Sequence, residues 1–291
     1  CHVAPIVIEE TGAFTTTHCA CIGCLVGVGT TNKMAISVLG ADTSEILIAN
    51  NVVEAGRIAV ADATRVSIIG NHVTGTVDGQ NCIGVAGGSL HHIANNFCVI
   101  KVNASNGIHV ESPNCRVCNN FVYTTTTGNR GYTAQVGSDG SVFENNTGID
   151  GSRGFYMYAG ATDITVRNNF FSGQTLTNLE KAGSGDIAYM QGNIGGFFTA
   201  STDGITLPVC SDVRIDSDTN KVDCNLPDGN IVGQTVAIRM INSDNASDIS
   251  VDTHATSSPE IALFDAIGEQ WVLIWDGVQW VDVGTPTCTF P

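Results

Sequence analysis

The sequence predicts an all-β chain: a parallel β-helix of short coils, followed by a small antiparallel β-domain. Three observations predict it. Asparagine recurs at a nearly constant spacing, an apolar residue stands at a fixed distance before each occurrence, and the last third of the chain changes to alternating strands joined by tight turns. The composition agrees. Of 291 residues only 14% are charged, with 33 Gly and 7 Pro, and long amphipathic helices need more Glu, Lys and Leu.

The repeat is set by Asn51, Asn71, Asn96, Asn120, Asn146, Asn169 and Asn193, separated by 20, 25, 24, 26, 23 and 24 residues. A period of this size marks a repeat architecture. Three residues before each stand Ile48, Ile68, Ile93, Val117, Phe143, Val166 and Met190, all apolar. The next column reads Ala49, Ile69, Ala94, Cys118, Glu144, Arg167 and Gln191 and is mixed. One buried column beside one variable column is the period of two of a strand. A second strand precedes each Asn: residues 57–60, 82–85, 107–110, 132–136, 154–158 and 186–190. Coils of this length with two or three short strands build a parallel β-helix. Asn suits the bend between strands because it tolerates the left-handed backbone region. Its amide can also bond the matching Asn one coil away, so these seven residues are expected to form a ladder. Gly70 and Gly192 serve the backbone where the first Asn of a pair is missing.

These Asn-ladder coils resemble the right-handed, single-stranded β-helix of the pectate-lyase-like superfamily, which includes viral and phage tail-spike and fibre proteins. The likeness covers about residues 34–200 and speaks to fold rather than function. It divides the chain into an N-terminal cap at 1–33, a β-helix at 34–203 and a C-terminal β-domain at 204–291. The ending VLIWDGVQWVDVG is similar to the tip domains of fibres, which implies a homotrimer whose axis buries Trp271 and Ile274. Trp275-Asp276-Gly277-Val278 reads as a hairpin with a two-residue turn.

Eleven cysteines suggest disulfides and an extracellular or virion-surface location. The odd number leaves one thiol free or bonded to another chain. Cys210 and Cys224 flank an expected hairpin and are candidates for a bridge. His18, Cys19, Cys21 and Cys24 lack the spacing of a zinc knuckle and read as disulfide or buried cysteine rather than metal ligands. Residues 216–220 (DSDTN) are the one faint calcium cue, without the Gly and terminal Glu such a loop needs. No cofactor is otherwise implied.

A net charge of −16 repels phosphate backbones and anionic membranes, so nucleic acid is not an expected partner. No apolar run of about 20 residues exists to span a membrane. No nucleophile elbow, P-loop, zinc-protease or dinucleotide motif is found. His91 and His92 sit at strand positions and read as structural.

If Ile108, Val110, Phe155 and Met157 point inward, then His109, Glu111, Thr133, Gln135, Tyr156 and Tyr158 point outward on one sheet face. Aromatic faces beside hydrogen-bonding groups suit sugar rings, so these six are the candidate glycan-binding residues; the bland alternative is a solvated or intersubunit face. Cleaving a glycan needs a second carboxylate about 5–10 Å away. Glu111 has no obvious partner among Glu144, Asp139, Asp150 and Asp163. Lyase chemistry of the superfamily type would offer Arg130 or Arg153 as base but lacks an acidic column for calcium.

The expectation is therefore a structural and receptor-binding spike or fibre protein, a homotrimer contacting a host-surface polysaccharide or glycoprotein and other virion proteins. The alternatives are a polysaccharide lyase or glycoside hydrolase, and a secreted adhesin or surface-layer protein. Sequons at Asn103 and Asn245 are compatible with the last, whereas Asn145 is expected to lie shielded in the ladder.

Overall fold

The computed structural model describes residues 2–3, 5–9, 15–27, 34–76, 78–103, 105–174, 177–181, 189–191, 193, 198–200, 205–207, 212–217, 221–226, 228–229, 235–243, 247–251 and 260–290. Every regular element among them is a β-strand. The chain forms two compact units, Cys1–Asp186 with Asn193–Gly195, and Ile187–Gly192 with Gly196–Pro291.

The first unit is a parallel β-solenoid of about seven turns. One coil shows the pattern. Asn106–Glu111 belongs to a long-strand sheet, Arg116–Cys118 to a sheet just before the Asn turn, and Phe121–Thr124 to a sheet just after it. Each strand pairs in parallel with its counterpart one coil away, Ile108 with Tyr132 and Val117 with Phe143 for example. Because the pairing keeps register, inward residues stack into columns. Ile36, Ile58, Ile83, Ile108, Tyr132, Phe155 and Leu179 form one, and Ile48, Ile68, Ile93, Val117, Phe143 and Val166 another; none is more than 1% exposed. Burying each such side chain contributes about 1.5–3 kcal/mol. The columns, rather than local propensity, hold the coils together.

The Asn pairs divide two tasks between them. Asn50, Asn95, Asn119, Asn145 and Asn168 take φ of 53–56° and make the bend, with Gly70 at 67° in the same role. The second residues are buried and carry the ladder. Asn96 shows its chemistry: Oδ1 accepts from the backbone N and the Nδ2 of Asn71, at 2.9 and 3.0 Å, while Nδ2 donates to Asn120 Oδ1 at 3.0 Å and to the Ile68 carbonyl at 2.8 Å. Two donor hydrogens and two acceptor sites are all used. The same bonds run from Asn51 to Asn193. Asn145 is exposed and Asn146 is the buried member, so the Asn145 sequon is not shielded as the sequence reading expected.

Glycine makes a further ladder. Residues 106–108, 130–132 and 153–155 read NGI, RGY and RGF. A Cβ on Gly107 would sit 2.5 Å from the Gly131 carbonyl oxygen, and one on Gly131 would sit 2.6 Å from that of Gly154. The backbones of neighbouring coils approach too closely here for any side chain. Gly131→Ala is expected to lower stability by about 3 kcal/mol, since the obstacle is backbone and cannot rotate away; urea denaturation measures it.

The described part of residues 1–33 is paired as a rung of the solenoid. Ile6–Glu9 pairs with Met34–Leu39, Ala20–Ile22 with Leu47–Ala49, and Leu25–Val26 with Val52–Val53. Gly23 (φ 68°) and Cys24 stand where later coils have their Asn pair: Cys24 N donates to Asn51 Oδ1 at 2.9 Å, and Asn51 Nδ2 donates to the Cys21 carbonyl at 2.9 Å. Of the last coil's expected strand, 186–190, residues 186–188 lie outside the described residues and Tyr189–Gln191 is a strand of its own, whereas Thr177–Lys181 pairs with Arg153–Met157 in the long-strand sheet.

The disulfide expectation is not met among the described residues. Cys19, Cys21, Cys24, Cys82, Cys98, Cys115 and Cys118 are thiols, and Cys210 of the Cys210–Cys224 candidate lies outside the described residues. Burial explains several of them: Cys82, Cys98 and Cys115 are at most 1% exposed and fill core positions as small apolar groups. Burial raises the Cys115 thiol pKa to about 11, with partial relief from hydrogen bonds by the His91 backbone and Ser141. His18 pairs with Glu45, and no group of three metal-ligating side chains occurs among the described residues.

The second unit begins with parallel pairing, not hairpins. Phe198–Ala200, Asp212–Asp216 and Thr235–Asn242 are successive parallel neighbours, as are Ile205–Thr206, Cys224–Leu226 and Ser247–Val251. The strands on either side of DSDTN thus belong to different sheets, and the expected hairpin between them does not form. Antiparallel pairing starts later, between Thr235–Asn242 and Gln270–Trp275, Ser247–Val251 and Glu260–Phe264, and Gln270–Trp275 and Trp280–Asp282. In the last pair Trp275 faces Trp280, so the loop has four residues rather than two. Asp276 sets it, accepting from the backbone N–H groups of Val278 and Gln279 at 2.8 Å each. Trp271 is 1% exposed, packed edge-on to Phe290 with ring centroids 5.2 Å apart and hydrogen-bonded to Asp282. It is a core residue of its own chain, which overturns the expectation that it waits for a threefold axis.

Candidate functional site

The long-strand sheet turns one face inward and the other outward. In its strands Asn106–Glu111, Arg130–Ala134 and Arg153–Met157 the inward residues Ile108, Val110, Tyr132, Ala134, Phe155 and Met157 are at most 1% exposed. Alternation then sends His109, Thr133 and Tyr156 outward, and pairing aligns them in one column. Arg130 and Arg153 align in the neighbouring column, each followed by a glycine of the close-contact ladder. Over the preceding coils the same outward column holds Val7, Ser37, Ala59 and Gly84. Large polar and aromatic side chains therefore rise abruptly at His109.

The six sequence-proposed residues meet on this face, in unequal roles. Tyr156 and Tyr158 rings lie at 90° with centroids 4.7 Å apart. The His109 ring meets Tyr158 edge-on at 6.5 Å. His109 Nδ1 is hydrogen-bonded to Thr133 Oγ1 at 2.7 Å, and its Nε2 lies 3.8 Å from Glu111 Oε2. Thr133 is fully buried, so it anchors His109 and is not a contact for a ligand. Gln135 is half-buried and its backbone carbonyl accepts from Ser138 N at 3.0 Å; no described contact ties its side chain to the other five.

Arg130 completes the face. Its guanidinium carbon lies 4.5 Å from the Tyr156 centroid and 5.4 Å from that of Tyr158, and Nη1 donates to the Tyr158 hydroxyl at 2.8 Å. Arg153 lies 5.0 Å from the Tyr156 centroid. Arg130 Nε is buried without a partner. Sequence reasoning weighed the two arginines only as bases. The cue it missed is the repeated RG, 23 residues apart, which places both on the face by register.

Burial, and secondarily the Arg130 charge, lower the His109 pKa from 6.5 to about 4. The imidazole is thus neutral near pH 7, and its contact with Glu111 is not an ion pair. At that pH the described side chains of the face present guanidinium, two phenol rings, a neutral imidazole and the Glu111 carboxylate, and Glu180 pairs with Tyr156 one coil further on.

Glu144, Asp139, Asp150 and Asp163, the carboxylates weighed as partners of Glu111, lie elsewhere. Glu144 is buried between Arg116 and Arg167 before the Asn turn. Asp139 accepts from the backbone N and hydroxyl of Thr162 at 2.8 Å each. Asp150 and Asp163 occupy turns at φ 59° and 55°. None is brought to Glu111 by a described contact. His91 is buried, accepting from Val66 N at 3.3 Å, and is structural. Of the calcium cue, residues 218–220 lie outside the described residues, as does Asn245; Asn103 is exposed.

No protein family, curated protein or solved structure matches the chain.

Proposed function

We propose that this chain is a structural and receptor-binding spike or fibre protein, displayed on a virion or otherwise outside the cell, which contacts a host-surface glycan through the outward face around Tyr156. The observation that carries this reading is the clamp of Arg130 against Tyr156 and Tyr158. Rings standing at right angles offer C–H stacking surfaces, while a guanidinium held by a phenol hydroxyl offers directed donors for sugar oxygens. A solenoid with an apolar interior supplies a rigid support for such a face. The parallel β-solenoid is compatible with this reading. A homotrimer is the proposed state.

A glycan array probed with the intact protein tests the proposal. Arg130→Ala and Tyr156→Ala are each expected to weaken binding about tenfold, the loss of one charged hydrogen bond or one stacking partner. Binding that is absent, or unchanged in both variants, overturns the reading. Reducing ends or unsaturated products released from bound polysaccharide would instead favour the enzyme reading. Light scattering at micromolar concentration is expected to give three times the chain mass of 30.4 kDa.

A further inference from the structure

A separate cleft lies away from that face, where three coils leave the sheet after the Asn turn. Tyr123 and the four threonines that follow it, Thr124 to Thr127, form one side. Asp150 and Gly151 of the next coil, and Gly173 of the one after, form the other. The cavity is about 280 Å³, near the lower limit for small-molecule sites and suited to a single ring.

The cleft is built by backbone constraints. Gly151 has φ 91°, and a Cβ there would sit 2.5 Å from Thr124 Oγ1 and 2.9 Å from the Asn129 carbonyl oxygen. Gly173 has φ 80°, and its Cβ would sit 2.2 Å from Asp150 Oδ1. Side chains at either position would fill the floor or displace the carboxylate. Asp150 itself is pinned through its main chain: its N donates to the Ser172 carbonyl at 2.8 Å, and its carbonyl accepts from Gln174 Nε2 at 3.1 Å.

The polar groups divide into used and unused. Thr125 and Thr126 hydroxyls donate to the Ile100 and Val102 carbonyls at 3.0 Å each, so the fold consumes them. The Asp150 carboxylate has neither a hydrogen bond nor an ion pair among the described residues. Asp150 lines the cleft with Oδ1 against Gly173, beside exposed Thr127 and half-buried Tyr123.

We infer that this cleft is a second ligand site, one that binds a single neutral hexose ring. A carboxylate accepting from adjacent hydroxyls, a threonine hydroxyl and an aromatic edge are the groups a polyhydroxylated ring satisfies. An anionic sugar is disfavoured, because none of the described lining residues is a cation and the chain carries a net charge of −16. One carboxylate is too few for a calcium site, which takes 6–8 oxygens. The site does not depend on the Arg130 face.

Isothermal titration of the intact protein with the methyl glycosides of glucose, galactose and mannose tests it. At least one is expected to saturate with a dissociation constant of about 1–10 mM. Asp150→Asn keeps the left-handed backbone, since Asn145 and Asn168 hold a similar φ in other turns of the chain. It is expected to weaken that binding about tenfold, because an amide replaces a charged acceptor. In the Arg130→Ala background, which removes the first face, the binding should persist, and glucuronate should bind there about tenfold more weakly than methyl glucoside. The inference is overturned if no methyl glycoside saturates, if Asp150→Asn binds as well as the parent, if Arg130→Ala abolishes binding, or if glucosamine binds about tenfold more tightly than methyl glucoside, which would make the cleft an amine site. Circular dichroism of Asp150→Asn confirms that the variant is folded when the titration is read.

Discussion

Asn120→Ala is expected to lower the unfolding free energy by about 4 kcal/mol, a large part of the 5–15 kcal/mol typical of a folded domain. The side chain is 2% exposed and completes four bonds. Its Oδ1 accepts from Asn96 N at 2.9 Å and Asn96 Nδ2 at 3.0 Å; its Nδ2 donates to the Ile93 carbonyl at 2.9 Å and to Asn146 Oδ1 at 3.0 Å. Alanine leaves the Asn96 N–H and one Asn96 amide hydrogen without partners in a dry interior, and takes one of two donors from the Ile93 carbonyl, which keeps its strand-ladder bond. Each stranded group costs about 1–3 kcal/mol, more than the net gain of forming a hydrogen bond. The adjacent Asn119 supplies the comparison. It is exposed with φ 56°, so Asn119→Ala is expected to cost only about 1 kcal/mol for the left-handed backbone. Asn119→Gly should be within about 0.5 kcal/mol of the parent. Urea midpoints of the three variants measure the ranking; equal losses at 119 and 120 would contradict the division of labour within the pair.

Lowering the pH is expected to destabilise the solenoid in two stages. His109 titrates at about 4 in the folded chain against 6.5 unfolded. A folded pKa below the unfolded one means that the unfolded chain takes up the proton first. The stability held above pH 6.5 is therefore lost as pH falls toward 4, by about 3 kcal/mol for a shift of this size. Buried His91, whose pKa is also lowered by burial, adds to the same window. Glu144 governs the second stage. Burial pushes its pKa up, but hydrogen bonds from Arg167 and Arg116, at 2.6–2.9 Å, outweigh this and the net shift is downward. Its contribution is present above the unfolded value of about 4.3 and is lost as pH drops below it. His109→Gln should flatten the first limb, leaving the part due to His91. Glu144→Gln should flatten the second and cost about 2 kcal/mol at pH 7, less than a fully buried pair because both arginines remain partly in water. Thermal melts from pH 3 to 8 measure both.

The repeat was legible in the sequence because each coil must satisfy the same constraint. Stacking in register demands an apolar residue at the position of Ile93, Val117 and Phe143, and a saturable amide at that of Asn96, Asn120 and Asn146. Alternation likewise placed Tyr156 and Tyr158 outside once Phe155 and Met157 were inside. Chemistry that depends on neighbouring coils was not legible in this way. Thr133 lies on the outward column yet is fully buried, because His109 from the coil before folds over it. Arg130 became part of the face through the ring of Tyr156, 26 residues later. Cys21-Ile22-Gly23-Cys24 looked like a cysteine motif until pairing with Leu47–Ala49 showed it to be one more Asn-type turn.

The C-terminal unit marks the boundary most clearly. Alternation identified its strands, since Trp271, Leu273 and Trp275 are buried and their neighbours are not. Which strands pair is a long-range question. Asp212–Asp216 and Cys224–Leu226 are successive strands in the sequence, yet each finds a parallel partner elsewhere. By itself, then, the sequence determined the period, the inside and outside of each strand, and the bend that closes each coil, because these are local demands repeated along the chain. Only the tertiary structure decided partners, the burial of Trp271 by Phe290, and the clustering of Arg130 with the tyrosines, because hydrogen-bond ladders and side-chain contacts join residues that no local pattern connects.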